Sequence, residues 1–314
     1  MKINQSFISV IVPCYNEEEV INHTHKRLTA VLSKIKMKCE IIYVSDGSDD
    51  KTNSLLEKIH LNDNNGIVKI VFLSRNFGHQ IAITAGIDYA KGDAVILIDA
   101  DLQDPPELIP TMIEKWKEGY RVVYGQRKNR QGESRFKLFT AKYFYKTLTY
   151  LSDIHIPEDT GDFRLMDRKV VDVIKSMPEK DRFLRGMVAW LGFNQFALKY
   201  DRVERYAGES KYPFWKMVKF SIDAILSFSI KPLRIAMLLG FTSSIVSLGG
   251  ILYAITKWMI GTPVVGWTLM FIAIMFFSGV QLISLGVIGE YIGRSYSETK
   301  NRPLYVIDKK EGFI

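Results

Sequence analysis

Apolar runs and stretches of helical periodicity alternate along the first part of the chain. Phe7–Pro13 reads as a buried strand, and Glu40–Val44, Val68–Leu73, Ala94–Ile98 and Val122–Tyr124 repeat the signal, each ending in a polar loop. Between them, Glu17–Met37 carries Leu28, Val31, Leu32 and Ile35 at helical spacing, and further helices are predicted near Lys51–Leu61, Gln80–Ala90 and Glu107–Lys117. Such alternation predicts an α/β fold with right-handed crossovers and a mostly parallel sheet with helices on both faces. Ligands of such sheets bind outside the carboxyl ends of the strands. The acidic residues of this chain concentrate there.

From about residue 133 to 205 the pattern is mixed: a helix over Ser134–Leu151, a strand over Phe163–Met166, a short helix over Arg182–Trp190 and an extended stretch over Phe193–Arg205. Pro213–Phe228 sets Trp215, Val218, Ile222, Ile225 and Leu226 on one helical side, opposite Lys216, Lys219 and Asp223. That division predicts a helix lying in a bilayer interface, with a core-facing helix as the alternative. Ile235–Thr256 and Trp258–Gly289 then contain no charged residue, and each exceeds the roughly 20 residues that cross a bilayer. Gly261, Thr262 and Pro263 make the turn of a transmembrane hairpin.

The expected organisation is therefore a globular domain over 1–210, an interfacial helix over 211–232, a hairpin over 233–292 (spans near 235–257 and 265–289) and a tail over 293–314. Lys231 and Arg234 precede the first span, Arg294, Lys300 and Arg302 follow the second, and the connecting loop carries only Lys257. By the positive-inside rule both termini and the globular domain face the cytoplasm, as in a multi-pass protein of the cell inner membrane.

The formal net charge is +8. No nucleic-acid-binding module accompanies it, and the basic residues near 211–234 adjoin apolar helices, which favours phosphate and anionic lipid as partners over nucleic acid. Cys14 and Cys39 are the two cysteines; they are expected to stay reduced thiols.

Asp99-Ala100-Asp101-Leu102-Gln103 follows directly on the strand Ala94–Ile98. In extended chain, residues two apart point the same way, so Asp99, Asp101 and Gln103 present hard oxygen ligands for Mg2+ or Mn2+ to one side. A solvated turn with acids capping the next helix is the structural alternative. Pro13-Cys14-Tyr15-Asn16-Glu17 and Ser45-Asp46-Gly47-Ser48 end the first two strands and supply a ring and carboxylates suited to a nucleoside. Glu17 as a first-turn helix acid and Asp46-Gly47 as a plain turn are their alternatives.

Together, Pro13-x-Tyr15-Asn16-Glu17, Asp46-Gly47-Ser48, Asp99-x-Asp101-x-Gln103 and Gly161-Asp162-Phe163-Arg164 resemble a family 2 glycosyltransferase with the Rossmann-like GT-A fold. Within it the chain is similar to polyprenyl-phosphate glycosyltransferases, namely dolichol-phosphate mannose synthases and, more closely, bacterial bactoprenol glucosyltransferases. The likeness spans essentially the whole chain, with one departure at Ser45, where some relatives carry a second acid. It implies inverting transfer from a nucleotide sugar, UDP-glucose by preference and GDP-mannose as the alternative, to a polyprenyl phosphate such as undecaprenyl phosphate. Catalytic roles fall to Asp162 and Asp101, donor contacts to Pro13, Tyr15, Glu17, Asp46 and Asp99, and metal ligation to Asp99, Asp101 and Gln103. Arg127, Arg135, Arg205 and Lys211 are the expected phosphate cations, whereas Lys128 and Arg130 read as solvated basic face.

Arg75-Asn76-Phe77-Gly78-His79 also looks familial, with His79 expected to order a loop. A homo-oligomer, such as a tetramer, is a further expectation from the resemblance. A processive polysaccharide synthase is disfavoured, because Arg182-Phe183-Leu184-Arg185-Gly186 stands where that group has Gln-x-x-Arg-Trp. A non-enzymatic scaffold or transport subunit is disfavoured by the intact Asp99/Asp101 pair and the lack of acids in the spans before Glu290.

Overall fold

The computed structural model describes residues 6–128, 157, 160–201, 226, 229–261 and 266–313. The helix expected over Ser134–Leu151, the interfacial helix at Pro213–Phe228 apart from Leu226, and Arg130, Arg135, Arg205 and Lys211 lie outside the described residues. The chain divides into two compact units: one holds the sheet and its helices and takes in the C-terminal segment from Arg302, the other holds two long apolar helices.

The first unit is built on eight strands: β1 (Phe7–Cys14), β2 (Lys38–Ser45), β3 (Val68–Leu73), β4 (Ala94–Leu97), β5 (Val122–Arg127), β6 (Thr160–Asp167), β7 (Gln195–Tyr200) and β8 (Ile307–Glu311). They lie in the order β7-β5-β6-β4-β1-β2-β3-β8. Ile8, Val10, Ile11 and Val12 of β1 are fully buried, as are Ile41, Ile42, Tyr43 and Val44 of β2. A strand covered on both faces needs continuous apolar sequence rather than alternation.

The expected parallel arrangement holds from β3 through β2 and β1 to β4. Beyond it the sheet is mixed: β6 runs antiparallel between β4 and β5, and β7 pairs parallel to β5. In consequence the carboxyl ends of β1, β2, β4, β5 and β7 and the amino end of β6 share one edge of the fold. The helices are α1 (Ile21–Leu32), α2 (Thr52–Leu61), α3 (His79–Tyr89), α4 (Ile109–Lys117, after a 3-10 turn at Pro106–Leu108), α5 (Arg168–Ser176) and α6 (Leu184–Trp190).

Two elements were not expected. Helix α5 starts at Asp167, whose side chain accepts from Lys169 N, and it buries Val170, Val171 and Ile174. The second, β8, falls in the segment read as a tail and closes the β3 edge antiparallel. Its Lys309 and Lys310 put charge on the outermost strand, which discourages further strand pairing. Ser74 N donates to Val306 O at 2.9 Å, Tyr305 Oη donates to Asp88 Oδ2 at 2.8 Å, and Phe313 stacks on Tyr89 with centroids 5.0 Å apart.

The second unit contains α7 (Lys231–Met259) and α8 (Trp267–Thr299), both long and apolar enough to cross a membrane. Side chains such as Met237, Phe241, Phe276 and Leu282 are exposed. A pair of such helices suits a hydrocarbon surrounding rather than water.

Candidate active site

The topology assembles the site from segments far apart in sequence. Leu97 of β4 pairs with Arg164 of β6, so Asp99, just beyond β4, meets Asp162 near the start of β6. His79, the first residue of α3, links them: its Nε2 lies 3.4 Å from Asp99 Oδ1 and 3.3 Å from Asp162 Oδ2. Burial alone would lower the imidazole's pKa, but the carboxylates of Asp99 and Asp162 raise it to about 9. His79 thus does more than order a loop: it is the cation shared by two acids.

Asp162 is buried, and its carboxylate accepts from several donors. Arg185 donates from Nε to Oδ1 at 2.9 Å and from Nη2 to Oδ2 at 3.2 Å, and Gln80 Nε2 donates to Oδ2 at 3.0 Å. Burial pushes the acid's pKa up, yet Arg185 and His79 overcome it and hold Asp162 well below the usual carboxylate range. The Gln80 amide uses its other end as well, accepting from Leu184 N at 3.0 Å. One side chain of α3 therefore ties β6 to the start of α6, the helix that carries Arg185. Arg164 turns its guanidinium to the backbone, donating to Asp162 O at 3.3 Å and Gly161 O at 2.9 Å.

Asp99 behaves differently. Burial, reinforced by the neighbouring acids Asp104, Asp162 and Asp101, raises its pKa to about 6 although His79 pulls it down. In the same loop Asp101 Oδ1 accepts from Gln103 N at 3.1 Å, and Leu102 between them sits at φ 57° with its side chain buried. A bulky residue in the left-handed region marks a loop held in place by its surroundings. Among the described residues no three His, Cys, Asp or Glu side chains gather into a self-sufficient metal cage. An oxygen-rich loop with an acid of raised pKa nevertheless fits a hard divalent ion that completes its shell with substrate oxygens and water.

The first two strand ends are laced together. Asp49 N donates to Asn16 Oδ1 at 2.9 Å, Glu17 N to Thr52 Oγ1 at 2.8 Å and Asn16 N to Ser48 Oγ at 3.2 Å. Pro13 is buried, while Tyr15 and Glu17 are partly exposed at this edge. The buried thiol of Cys14 feels Glu17, Asp50 and Asp99, which, after burial, raise its pKa; both Cys14 and Cys39 are free. Ser45, the one departure from the family pattern, donates to Asn53 Oδ1 at 2.5 Å.

Asp46 accepts from Phe77 N at 2.7 Å and Gly78 N at 2.9 Å, one to each oxygen. With only 2% of its surface exposed, it braces the 75–78 loop. Gly47 beside it has φ 63°, and a Cβ there would fall 2.2 Å from the backbone carbon of Arg75; no other residue fits that approach.

Arg127 ends β5 directly opposite Tyr200 of β7, and Lys128 N donates to Tyr200 O at 2.9 Å. The structure thus joins Asp99 to Asp162 through His79. Asp101 and Gln103 stay in the adjoining loop, which turns at 100–101 instead of running extended. Arg127 lies at the same edge, and Gln80, Asp104, Arg185 and Tyr200 join the residues picked out from sequence. Arg185 belonged to a segment noticed only for what it lacks, and Asp104 is the third acid of the 99–104 loop.

Residues 9–175 match the family described as Glycosyl transferase family 2. Over nearly their full lengths, related proteins include the uncharacterized glycosyltransferase YkcC of Bacillus subtilis, 52% identical over 97% of this chain and 94% of that protein. The SfII prophage-derived bactoprenol glucosyl transferase of Shigella flexneri is 43% identical over 96% of this chain and 97% of its own. A prophage bactoprenol glucosyl transferase homolog of Escherichia coli is 41% identical over 96% of this chain and 98% of its own. A mixed GT-A sheet, a strand-end acidic loop and these matches have one reading: the chain belongs to glycosyl transferase family 2.

Proposed function

We propose that this glycosyltransferase moves a sugar, glucose from UDP-glucose in the first instance, onto the phosphate of a polyprenyl lipid such as undecaprenyl phosphate. The observation that carries the proposal is the acidic edge at which His79 bridges Asp99 and Asp162, beside Asp101 and Gln103. The printed names of the Shigella and Escherichia relatives support a bactoprenol carrier and a glucosyl group.

In this reading Pro13, Tyr15 and Glu17 line the nucleoside side, with Asp46 bracing its wall. Asp99, Asp101 and Gln103 would hold Mg2+ or Mn2+, which when bound neutralises charge on the departing diphosphate. A phosphate oxygen of the lipid attacks the anomeric carbon, and the bond from that carbon to the nucleoside diphosphate breaks with its electron pair leaving on the diphosphate. Configuration inverts. A phosphate monoester has a second pKa of about 6, so the nucleophile is already largely ionised at neutral pH. Asp162, held ionised by Arg185 and His79 with its oxygens engaged by donors, accordingly serves to orient and balance charge more than to remove a proton. Arg127 would grip the acceptor phosphate together with Arg135, Arg205 and Lys211.

The two apolar helices would form a hairpin in the cell inner membrane. The pairing of β8 with β3 after the second span supports an even number of crossings, and the basic flanks support a cytoplasmic side for both termini. A homo-oligomer, such as a tetramer, belongs to the same proposal.

Purified full-length protein, incubated with undecaprenyl phosphate and labelled UDP-glucose, GDP-mannose or another UDP-sugar, tests the assignment. Organic-extractable label from UDP-glucose, lost on chelation and restored by Mg2+ or Mn2+, is the expected result. Label from GDP-mannose alone would replace glucose by mannose. No extractable label from any donor would overturn the proposal.

A further inference from the structure

Asp104 and Tyr200 belong to none of the motifs, yet both sit at the acidic edge and both are buried, with only 1% and 5% of their surfaces exposed. Tyr200 closes β7 in register with Arg127. Its hydroxyl donates to Asp104 Oδ1. Burial and then Asp104 push the phenol's pKa up, and the nearby Arg127 side chain pulls it down. The hydroxyl thus occupies one oxygen of Asp104, with the Arg127 cation beside them.

The ring has little freedom to move. It packs edge-on to Phe163, centroids 6.2 Å apart at 85°, and a Cβ on Gly125 would lie 2.9 Å from it. On the far side the tip of the arginine lies over Gly161: a Cβ there would stand 3.1 Å from Arg127 Nη2, close enough to push the guanidinium aside, and 3.8 Å from Asp104 Oδ2. Gly161 immediately precedes Asp162. A buried carboxylate and a guanidinium this close attract each other strongly and favour a direct bidentate pair. A guanidinium paired in that way has few donors left for a phosphate.

We infer that Tyr200 is a positioning residue for the acceptor phosphate: its hydroxyl engages Asp104, keeps that acid from pairing with Arg127 and so leaves the guanidinium over Gly161, where it meets the lipid phosphate. The inference rests on the proposed role of Arg127.

Tyr200→Phe tests it, because the ring and its packing stay while the hydroxyl that holds Asp104 goes. The expected result is a rise in KM for undecaprenyl phosphate of about tenfold, the lower end of what a charge-assisted hydrogen bond contributes. The donor KM and kcat should stay within about twofold of wild type, since a group binding one substrate affects that substrate's KM. Adding Asp104→Asn weakens the pull on Arg127 and should recover most of the lost acceptor affinity, a rescue that a merely structural tyrosine would not show. An unchanged acceptor KM, or equal rises for both substrates, overturns the inference. Should Tyr200→Phe fail to fold, Gly161→Ala crowds the same guanidinium from the other side and must raise the acceptor KM selectively, or the inference falls. Arg127→Ala separates the two readings. If it leaves the acceptor KM unchanged, the phosphate role of Arg127 has failed; if it raises the acceptor KM while Tyr200→Phe does not, only the positioning role has.

Discussion

Both ends of the central sheet bury carboxylates, but they treat them in opposite ways. At the amino ends of β1, β2 and β3, Glu40 accepts from Ser9 Oγ at 2.5 Å, Lys69 Nζ at 2.6 Å and Lys91 N at 3.1 Å. Gly92 N in turn donates to Ser9 Oγ at 2.8 Å. One acid there has its own cation, its own hydroxyl and its own amide. At the carboxyl ends, Asp99, Asp101, Asp104 and Asp162 share an edge with His79, Arg127, Arg164 and Arg185, and His79 is shared between two acids. A network in which each acid has its own partners stabilises only the fold, whereas one in which two acids compete for a single cation has a place for a cation that arrives. The difference separates scaffold from site without reference to any relative.

The largest effect should come from breaking the open end at its centre. Asp162→Asn removes the charge that Arg185 and His79 both answer while keeping the shape. Turnover should fall by about 100-fold or more. Donor binding, followed by calorimetry with the nucleotide sugar, should remain measurable. Near-normal kcat would remove the carboxylate from the mechanism and leave the open end without its central acid.

Breaking the closed end should do the reverse. Glu40→Ala leaves Lys69, Ser9 and Lys91 N without their shared acceptor, and removing one partner of a buried pair costs about 3 kcal/mol. The expected reading is a Tm lower by about 6–12 °C, with kcat and both KM values close to wild type below the transition. A Glu40 variant that kept its Tm but lost turnover would put the scaffold and the site in each other's places.

The sequence made the strands legible and left the partnerships hidden, for a physical reason. The run Val68–Leu73 is β3 to the residue: Ile70–Leu73 is buried and continuously apolar, as a strand covered on both faces requires, and Lys69 breaks the run to meet Glu40. Ile307–Glu311 escaped notice because Asp308, Lys309, Lys310 and Glu311 give an edge strand the composition of a solvated tail. Helix α5 carried a readable signal, an N-capping Asp167 ahead of Val170, Val171 and Ile174. Asp99, Asp101 and Asp162 stood out as motifs, since their chemistry is local to a strand end. Gln80 and Arg185 did not. Their contacts to Asp162 span 82 and 23 residues, and only the pairing of β4 with β6 makes them neighbours.

The smallest effect probes whether the two ends are independent. Helix α3 runs from one to the other: His79 and Gln80 open it at the acidic edge, and Asp88 and Tyr89 close it beneath the C-terminal segment, where Tyr305 and Phe313 hold them. Eleven residues at 1.5 Å each separate these ends by about 16 Å. Tyr305→Phe deletes one hydroxyl from a partly buried pair, a loss of about 1 kcal/mol, or a Tm lower by about 2–4 °C. Ala82, Ile83, Ala85 and Ile87 are buried along the helix, and close packing of that kind absorbs a frayed last turn before it reaches the first. Steady-state kcat and KM should therefore match wild type. If turnover dropped in step with the loss of that single hydrogen bond, α3 would be transmitting the state of the C-terminal segment to His79 and Gln80, and the closed end would be part of the machinery it was thought only to support.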